Sequence, residues 1–235
     1  MISVILPTYN EKENIIQLVK GIAKNLPGNG NKNYEIIIVD DNSPDGTSEE
    51  VNKYKKHDKN VKLITREKER GLATAIKTGI NNSSGEYVIM MDTDLSHPPE
   101  CLGILISTIK ENSVDVVIAS RYIKGGSMNS NRFKYLSSKT MNLLLGIILN
   151  LNIKDLTGGF FIIKKSLLEK VDLDKVLIGY GDYFFRLFYE LKKINYTFKE
   201  IPFKYVGRKM GKSKTKTFSM GIDYLKTMIS LRFGK

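Results

Sequence analysis

The chain has 235 residues, 41% hydrophobic and 26% charged, the balance of a soluble globular protein built as one large domain or a domain with an appendage. Its formal net charge of +12 calls for an anionic partner, whether nucleic acid, membrane lipid or phosphorylated small molecule, although a lysine- and asparagine-rich genome would drift a surface the same way. The single cysteine, Cys101, excludes an internal disulfide framework and points to a reducing compartment, and no apolar run approaches the roughly 18 residues that span a bilayer.

Met1 leads directly into the strand-like ISVIL, with no N-terminal signal pattern. ISVILP (2–7) reads as a buried strand, and residues 11–26 carry helical periodicity with an acidic start that suits the helix dipole. YEIIIVDD (34–41) is a second strand, SPDGT a turn, and Thr47 the start of another helix. Strands follow at 61–66, 86–92 and 115–120, with helices at 71–83 and after His97-Pro98-Pro99. Nearly continuous β-branched runs between amphipathic helices imply a parallel sheet covered on both faces. After Arg121 the rhythm changes: 132–150 reads as helix, 158–165 as strand, 180–194 as helix and 196–207 as extended chain. The basic loop GRKMGKSKTK and a short amphipathic helix complete the chain, with no internal repeat or low-complexity linker. The expected organisation is a domain over 1–216 and a C-terminal amphipathic helix over 217–235.

In open α/β sheets ligands collect at the carboxyl ends of the strands. Three polar clusters belong there: Pro7-Thr8-Tyr9-Asn10-Glu11, Asp40-Asp41-Asn42 and Asp92-Thr93-Asp94. Aspartates after strands are also common caps and turn formers, but three strands delivering carboxylates to one crevice form a stronger pattern than any one alone. If the fourth strand persisted, Asp92 and Asp94 would point to the same side and face one ion. Hard oxygen ligands suit Mg²⁺ or Mn²⁺, ions that share their sites with substrate phosphates.

The segments VILPTYNEKENI, IIIVDDNSPDGT, REKERGLATA, MDTDLSHPPE, SRYIKGG and RKMGKSK, in this order, resemble the dolichyl-phosphate mannose synthase group of inverting family-2 glycosyltransferases over about residues 2–215. The resemblance implies a GT-A-type, Rossmann-like α/β fold with a mostly parallel sheet, and transfer of a hexose, mannose from GDP-mannose first of all, to dolichyl or another polyprenyl phosphate. A UDP-sugar donor such as UDP-glucose is the alternative within the enzyme class, and a non-catalytic nucleotide or lipid-phosphate binding subunit is the alternative outside it. It assigns Pro7, Tyr9, Glu11, Ile38, Asp40, Asp92 and Thr93 to the nucleotide, and Asp92, Asp94 and Ser96 to Mg²⁺ or Mn²⁺. Arg121, Arg132, Lys134, Arg208 and Lys214 are assigned to the phosphates, and Asp92, Asp94 and Arg121 carry catalysis. A lipid phosphate is already an oxyanion at neutral pH, so no strong general base is required. That fits a chain with two histidines, His57 in a charged run and His97 as a cap for the following helix.

The chain departs from the group in several places. It has no tryptophan, Thr157-Gly158-Gly159-Phe160-Phe161 lacks the usual arginine, and GYGDYFF lacks a Gln and a Glu, with Asp182 left to compensate. These changes bear on the sugar and the acceptor more than on the reaction class. The lipid acceptor implies a membrane surface, a place at its cytoplasmic face, and in some members a membrane-anchoring subunit. Ile222, Leu225, Met228 and Ile229 are expected on one face of the C-terminal helix, with Lys226 and Arg232 towards its polar side, lying in the interface or packed on the domain. Nucleic acid is disfavoured, because the basic loop over 208–216 contains no aromatic residue.

Overall fold

A computed structural model describes residues 1–26, 33–207 and 217–234. Strands β1 (Ile2–Thr8), β2 (Tyr34–Asp40), β3 (Val61–Thr65) and β4 (Tyr87–Met90) alternate with helices α1 (Lys12–Asn25), α2 (Thr47–Tyr54) and α3 (Leu72–Asn81). A 3-10 turn (Pro99–Cys101) opens α4 (Leu102–Glu111), followed by β5 (Val116–Ser120), the short β6 (Ser127–Met128) and the long α5 (Arg132–Leu149). Then come β7 (Phe161–Lys164), α6 (Lys165–Leu168), α7 (Leu173–Val176), α8 (Tyr183–Lys192), β8 (Phe198–Pro202), β9 (Lys204–Tyr205) and α9 (Thr217–Phe233).

The seven-stranded sheet runs β3-β2-β1-β4-β7-β5-β8, and β6 and β9 pair in a separate parallel ribbon. All pairings in the large sheet are parallel except those of β7, which runs antiparallel between β4 and β5. The parallel sheet expected from the sequence is therefore interrupted by one reversed strand. Alternation along each strand divides the core into two layers. Val4, Leu6, Ile36, Ile38, Ile89 and Ile162 pack against α1 and α4. Ile5, Val88, Met90, Phe161 and Ile163 face the opposite way, against α3, α5, α8 and α9. Both faces of these strands are buried, which is why the strands read as unbroken apolar runs.

α9 adds Tyr224 and Met228 to that second layer. These two and Thr227 form its buried face, so Met228 does not belong to the exposed stripe where it was expected. A buried polar knot fastens α9 to α8. Asp182 accepts from the Tyr180 amide (3.0 Å), Arg186 Nε (2.8 Å) and Thr227 Oγ1 (3.0 Å). Asp182 is thus occupied in holding the helices together and does not replace the missing Gln and Glu in the cleft.

Candidate active site

β2, β1 and β4 are neighbours, and their carboxyl ends open into a cleft of about 730 Å³. Its wall includes Pro7, Tyr9, Glu11, Asp41, Arg70, Asp92, Thr93, Asp94, Arg121 and Lys134, together with Gly181, Met220 and Tyr224 from the α8–α9 side. The expectation that acidic strand ends converge on one crevice is met, although the residues taking part differ in detail.

β4 stops at Met90, so Asp92 and Asp94 do not share a face by strand alternation as the sequence suggested. A bend brings them to the same cleft instead. Asp94 Oδ1 accepts from the Ser96 amide (3.0 Å), and Leu95 takes a left-handed conformation (φ 64°) that turns the chain back. The Asp92 side chain keeps 44% of its surface exposed. Thr93 is buried and its hydroxyl donates to the Pro7 carbonyl (3.3 Å), tying the bend to the end of β1. Ser96 has no exposed surface, lies beside Tyr205 and is absent from the cleft wall.

On the nucleotide side, Ile38 is fully buried in the α1 layer and does not reach the cleft. Asp40 is also fully buried, its oxygens taken by the Ser43 amide and hydroxyl and by Ser48 Oγ (2.7 Å), so it stands behind the wall as the organiser of a turn. The neighbouring Asp41, placed at the crevice by its strand end but given no role at the nucleotide, lines the cleft. It receives Arg66 Nε (2.7 Å) on one oxygen and the Gly71 amide (2.8 Å) on the other. Gly71 has φ 143°, so this close return of the chain suits a residue without Cβ. The loop held in this way carries Arg70 to 5.3 Å over the Tyr9 ring. Glu11 is buried and accepts from Asn14 Nδ2 (2.7 Å).

Arg121 is set by a residue far away in sequence. Nε and Nη2 each reach one Asp155 oxygen at 2.8 Å, and Nη2 also donates to Thr157 Oγ1 (2.9 Å). Asp155 is fully buried, and Glu200 accepts from its amide (3.2 Å). Burial alone would lower the Arg121 pKa, but the Asp155 carboxylate overrides this and raises it, so the guanidinium stays charged. It also lies 5.7 Å from the Tyr205 ring centre. Burial, together with the Asp94 carboxylate, raises the Tyr205 pKa and keeps that hydroxyl protonated. Of the other expected phosphate contacts, Lys134 lines the cleft, whereas Arg132 points to solvent from the first turn of α5 and is not part of the wall. Arg208 and Lys214 lie outside the described residues.

Among the described residues no cluster of three or more His, Cys, Asp or Glu side chains forms a self-sufficient metal cage. The two cleft carboxylates fit Mg²⁺ or Mn²⁺ in another way, since these ions keep several waters and complete their shell with substrate phosphate oxygens. His97 does not cap the following helix. It is buried against Phe160, and its Nδ1 accepts from the Asp92 amide (2.9 Å).

Asp92 and Asp94 line one cleft with the charged Arg121 at the carboxyl ends of a mostly parallel sheet. Residues 3–172 match the family model described as "Glycosyl transferase family 2", and the chain belongs to that family. It is 40% identical over 98% of its length to the "Dolichol-phosphate mannosyltransferase" of Pyrococcus furiosus, spanning 63% of that relative, a little less than two thirds. It is 30% identical over 99% of its length to the protein of the same name from Saccharomyces cerevisiae, spanning 88% of it. In fold it matches the glucosyl-3-phosphoglycerate synthase of Mycobacterium tuberculosis, solved with Mn²⁺ and UDP, at a TM-score of 0.74 and 16% identity over 99% of this chain and 80% of that one. The architecture is the GT-A-type α/β fold anticipated from the sequence, with the C-terminal helix packed as part of it.

Proposed function

We propose that this protein transfers mannose from GDP-mannose to dolichyl or a related polyprenyl phosphate, with inversion at the anomeric carbon and with Mg²⁺ or Mn²⁺ bound. The observation that carries this reading is the meeting of Asp92 and Asp94 with the charged Arg121 in one cleft, in a chain similar over nearly its whole length to dolichol-phosphate mannosyltransferases.

Tyr9, Arg70, Glu11 and Asp41 form the part of the wall suited to base and ribose. Asp92 and Asp94 would hold the metal ion, which when bound neutralises charge developing on the departing diphosphate. Arg121 adds a fixed cation that needs no reorganisation during the reaction, and Lys134 a second one on the side of α5. Arg208 and Lys214 complete the phosphate contacts in this reading. The acceptor phosphate oxygen attacks the anomeric carbon, the bond to the diphosphate breaks, and its electron pair leaves with the nucleotide. No general base is needed, in keeping with a His97 committed to the backbone.

The reading also brings the protein to a membrane surface, at its cytoplasmic face. No helix among the described residues is long and apolar enough to cross a bilayer. α5 instead exposes a stripe of Phe133 (83% exposed), Leu136, Leu143 and Ile147, and α9, packed beside it, exposes Ile222, Leu225, Ile229 and Phe233. Arg132, Lys139, Lys226 and Arg232 flank these stripes, an arrangement suited to an anionic interface.

The test is Asp94→Ala. Its Mn²⁺-dependent turnover should fall by about 10²–10³-fold with folding intact, a loss typical of removing transition-state charge stabilisation. Unchanged metal-dependent turnover would show that Asp94 does not hold the ion.

A further inference from the structure

His97 has a role that neither its position in the sequence nor the chemistry above assigns. β4 ends at Met90, two residues before Asp92. The Asp92 amide donates to His97 Nδ1 at 2.9 Å. The imidazole is only 1% exposed and is fixed on several sides. It stacks on Phe160 with ring centres 4.8 Å apart and planes 9° from parallel, and it meets Phe203 and Tyr205 edge-on at 5.8 and 6.4 Å. Those rings are anchored in turn: the Phe160 carbonyl accepts from the Ala119 amide (2.9 Å), and the Phe203 amide donates to Ser120 (3.2 Å). The histidine therefore transmits the position of β5 and its neighbours to the main chain at Asp92. A ring nitrogen that accepts a hydrogen bond carries no proton, so His97 is the Nε2–H tautomer. The 3.7 Å separation between Nε2 and Asp92 Oδ2 is too long for a hydrogen bond.

We infer that His97 is a positioning residue for the Asp92–Asp94 bend, acting through its Nδ1 acceptor to fix the main chain from which the two carboxylates project into the cleft. The inference rests on the metal role of these carboxylates in the proposed function. The bland alternative is that the ring matters only as core filling beside Phe160. Two substitutions separate them. In His97→Asn the side-chain oxygen takes the place of Nδ1 while the aromatic stack is lost. In His97→Phe the stack is kept and the acceptor is lost.

Mn²⁺ binding is measured by electron paramagnetic resonance, with GDP and with UDP in separate arms, alongside thermal unfolding and the ¹⁵N shift of His97 Nδ1. The wild type should bind Mn²⁺ in at least one nucleotide arm and show an unprotonated Nδ1. His97→Phe should bind the ion about 10–100-fold more weakly while its melting temperature stays near that of the wild type, the range found when a group that orients metal ligands is removed. His97→Asn should recover most of the affinity even where it loses stability. Wild-type affinity in His97→Phe, a failure of His97→Asn to bind better than His97→Phe, or a protonated Nδ1 would each overturn the inference while leaving the metal site standing. No Mn²⁺ binding by the wild type in either arm would overturn the metal reading and the inference with it.

Discussion

Arg121 keeps its charge in a nearly closed environment because the buried Asp155 meets the guanidinium with both carboxylate oxygens. Removing one partner of such a pair strands the other without compensation. Asp155→Ala should therefore cost about 3–5 kcal/mol in urea unfolding and depress kcat as well, because Arg121 loses its orientation. A variant with wild-type stability and turnover would show that Asp155 does not set Arg121. The place of Asp92 and Asp94 in the cleft was legible in the sequence because they sit one residue apart at the end of an apolar run. Asp155 was not, since its partner lies 34 residues away and no local pattern marks a long-range ion pair. The choice between Asp40 and Asp41 was equally out of reach. Strand polarity brings both to the crevice, and only the positions of Ser43, Ser48 and Arg66 decide which one turns inward.

At the scale of elements, β1 to β5 announced themselves through length, β-branching and punctuation by helices, and α5 and α8 through their periodicity. The reversal of β7 carried no such signal, because a short apolar strand buried on both faces reads the same in either direction. α9 was visible as an amphipathic helix, but its place in the cleft wall depends on contacts with α8. Gly181 faces the Tyr224 hydroxyl so closely that an added methyl group would overlap it. Gly181→Ala should push α9 away from the cleft, lowering stability by about 1–3 kcal/mol by overpacking and raising KM for the acceptor. If stability and KM are both unchanged, α9 does not shape the site. The same packing explains Met228: the face carrying Tyr224 and Thr227 is the one α8 covers, so the exposed stripe is left to Ile222, Leu225, Ile229 and Phe233.

For the molecule as a whole, the net charge of +12 and the paired stripes of α5 and α9 support one reading, attachment to an anionic surface beside the mouth of the cleft. Charge alone left nucleic acid, lipid and phosphorylated substrates all open. The folded arrangement favours lipid, because the exposed apolar residues lie on two packed helices that also wall the site. Phe133→Glu with Ile147→Glu should leave stability within about 0.5 kcal/mol, as for exposed positions in general. The same pair should sharply reduce sedimentation with anionic liposomes, whereas full retention on the liposomes would remove α5 from the interface.

The most direct test of the account is product formation. The protein is incubated with dolichyl phosphate and Mn²⁺, with radiolabelled GDP-mannose in one arm and UDP-glucose in the other, and label is counted in the lipid phase. The expected result is metal-dependent transfer from GDP-mannose that disappears in Asp94→Ala. Transfer from UDP-glucose alone would contradict the donor, and an absence of lipid-linked label from both donors would contradict the proposed reaction.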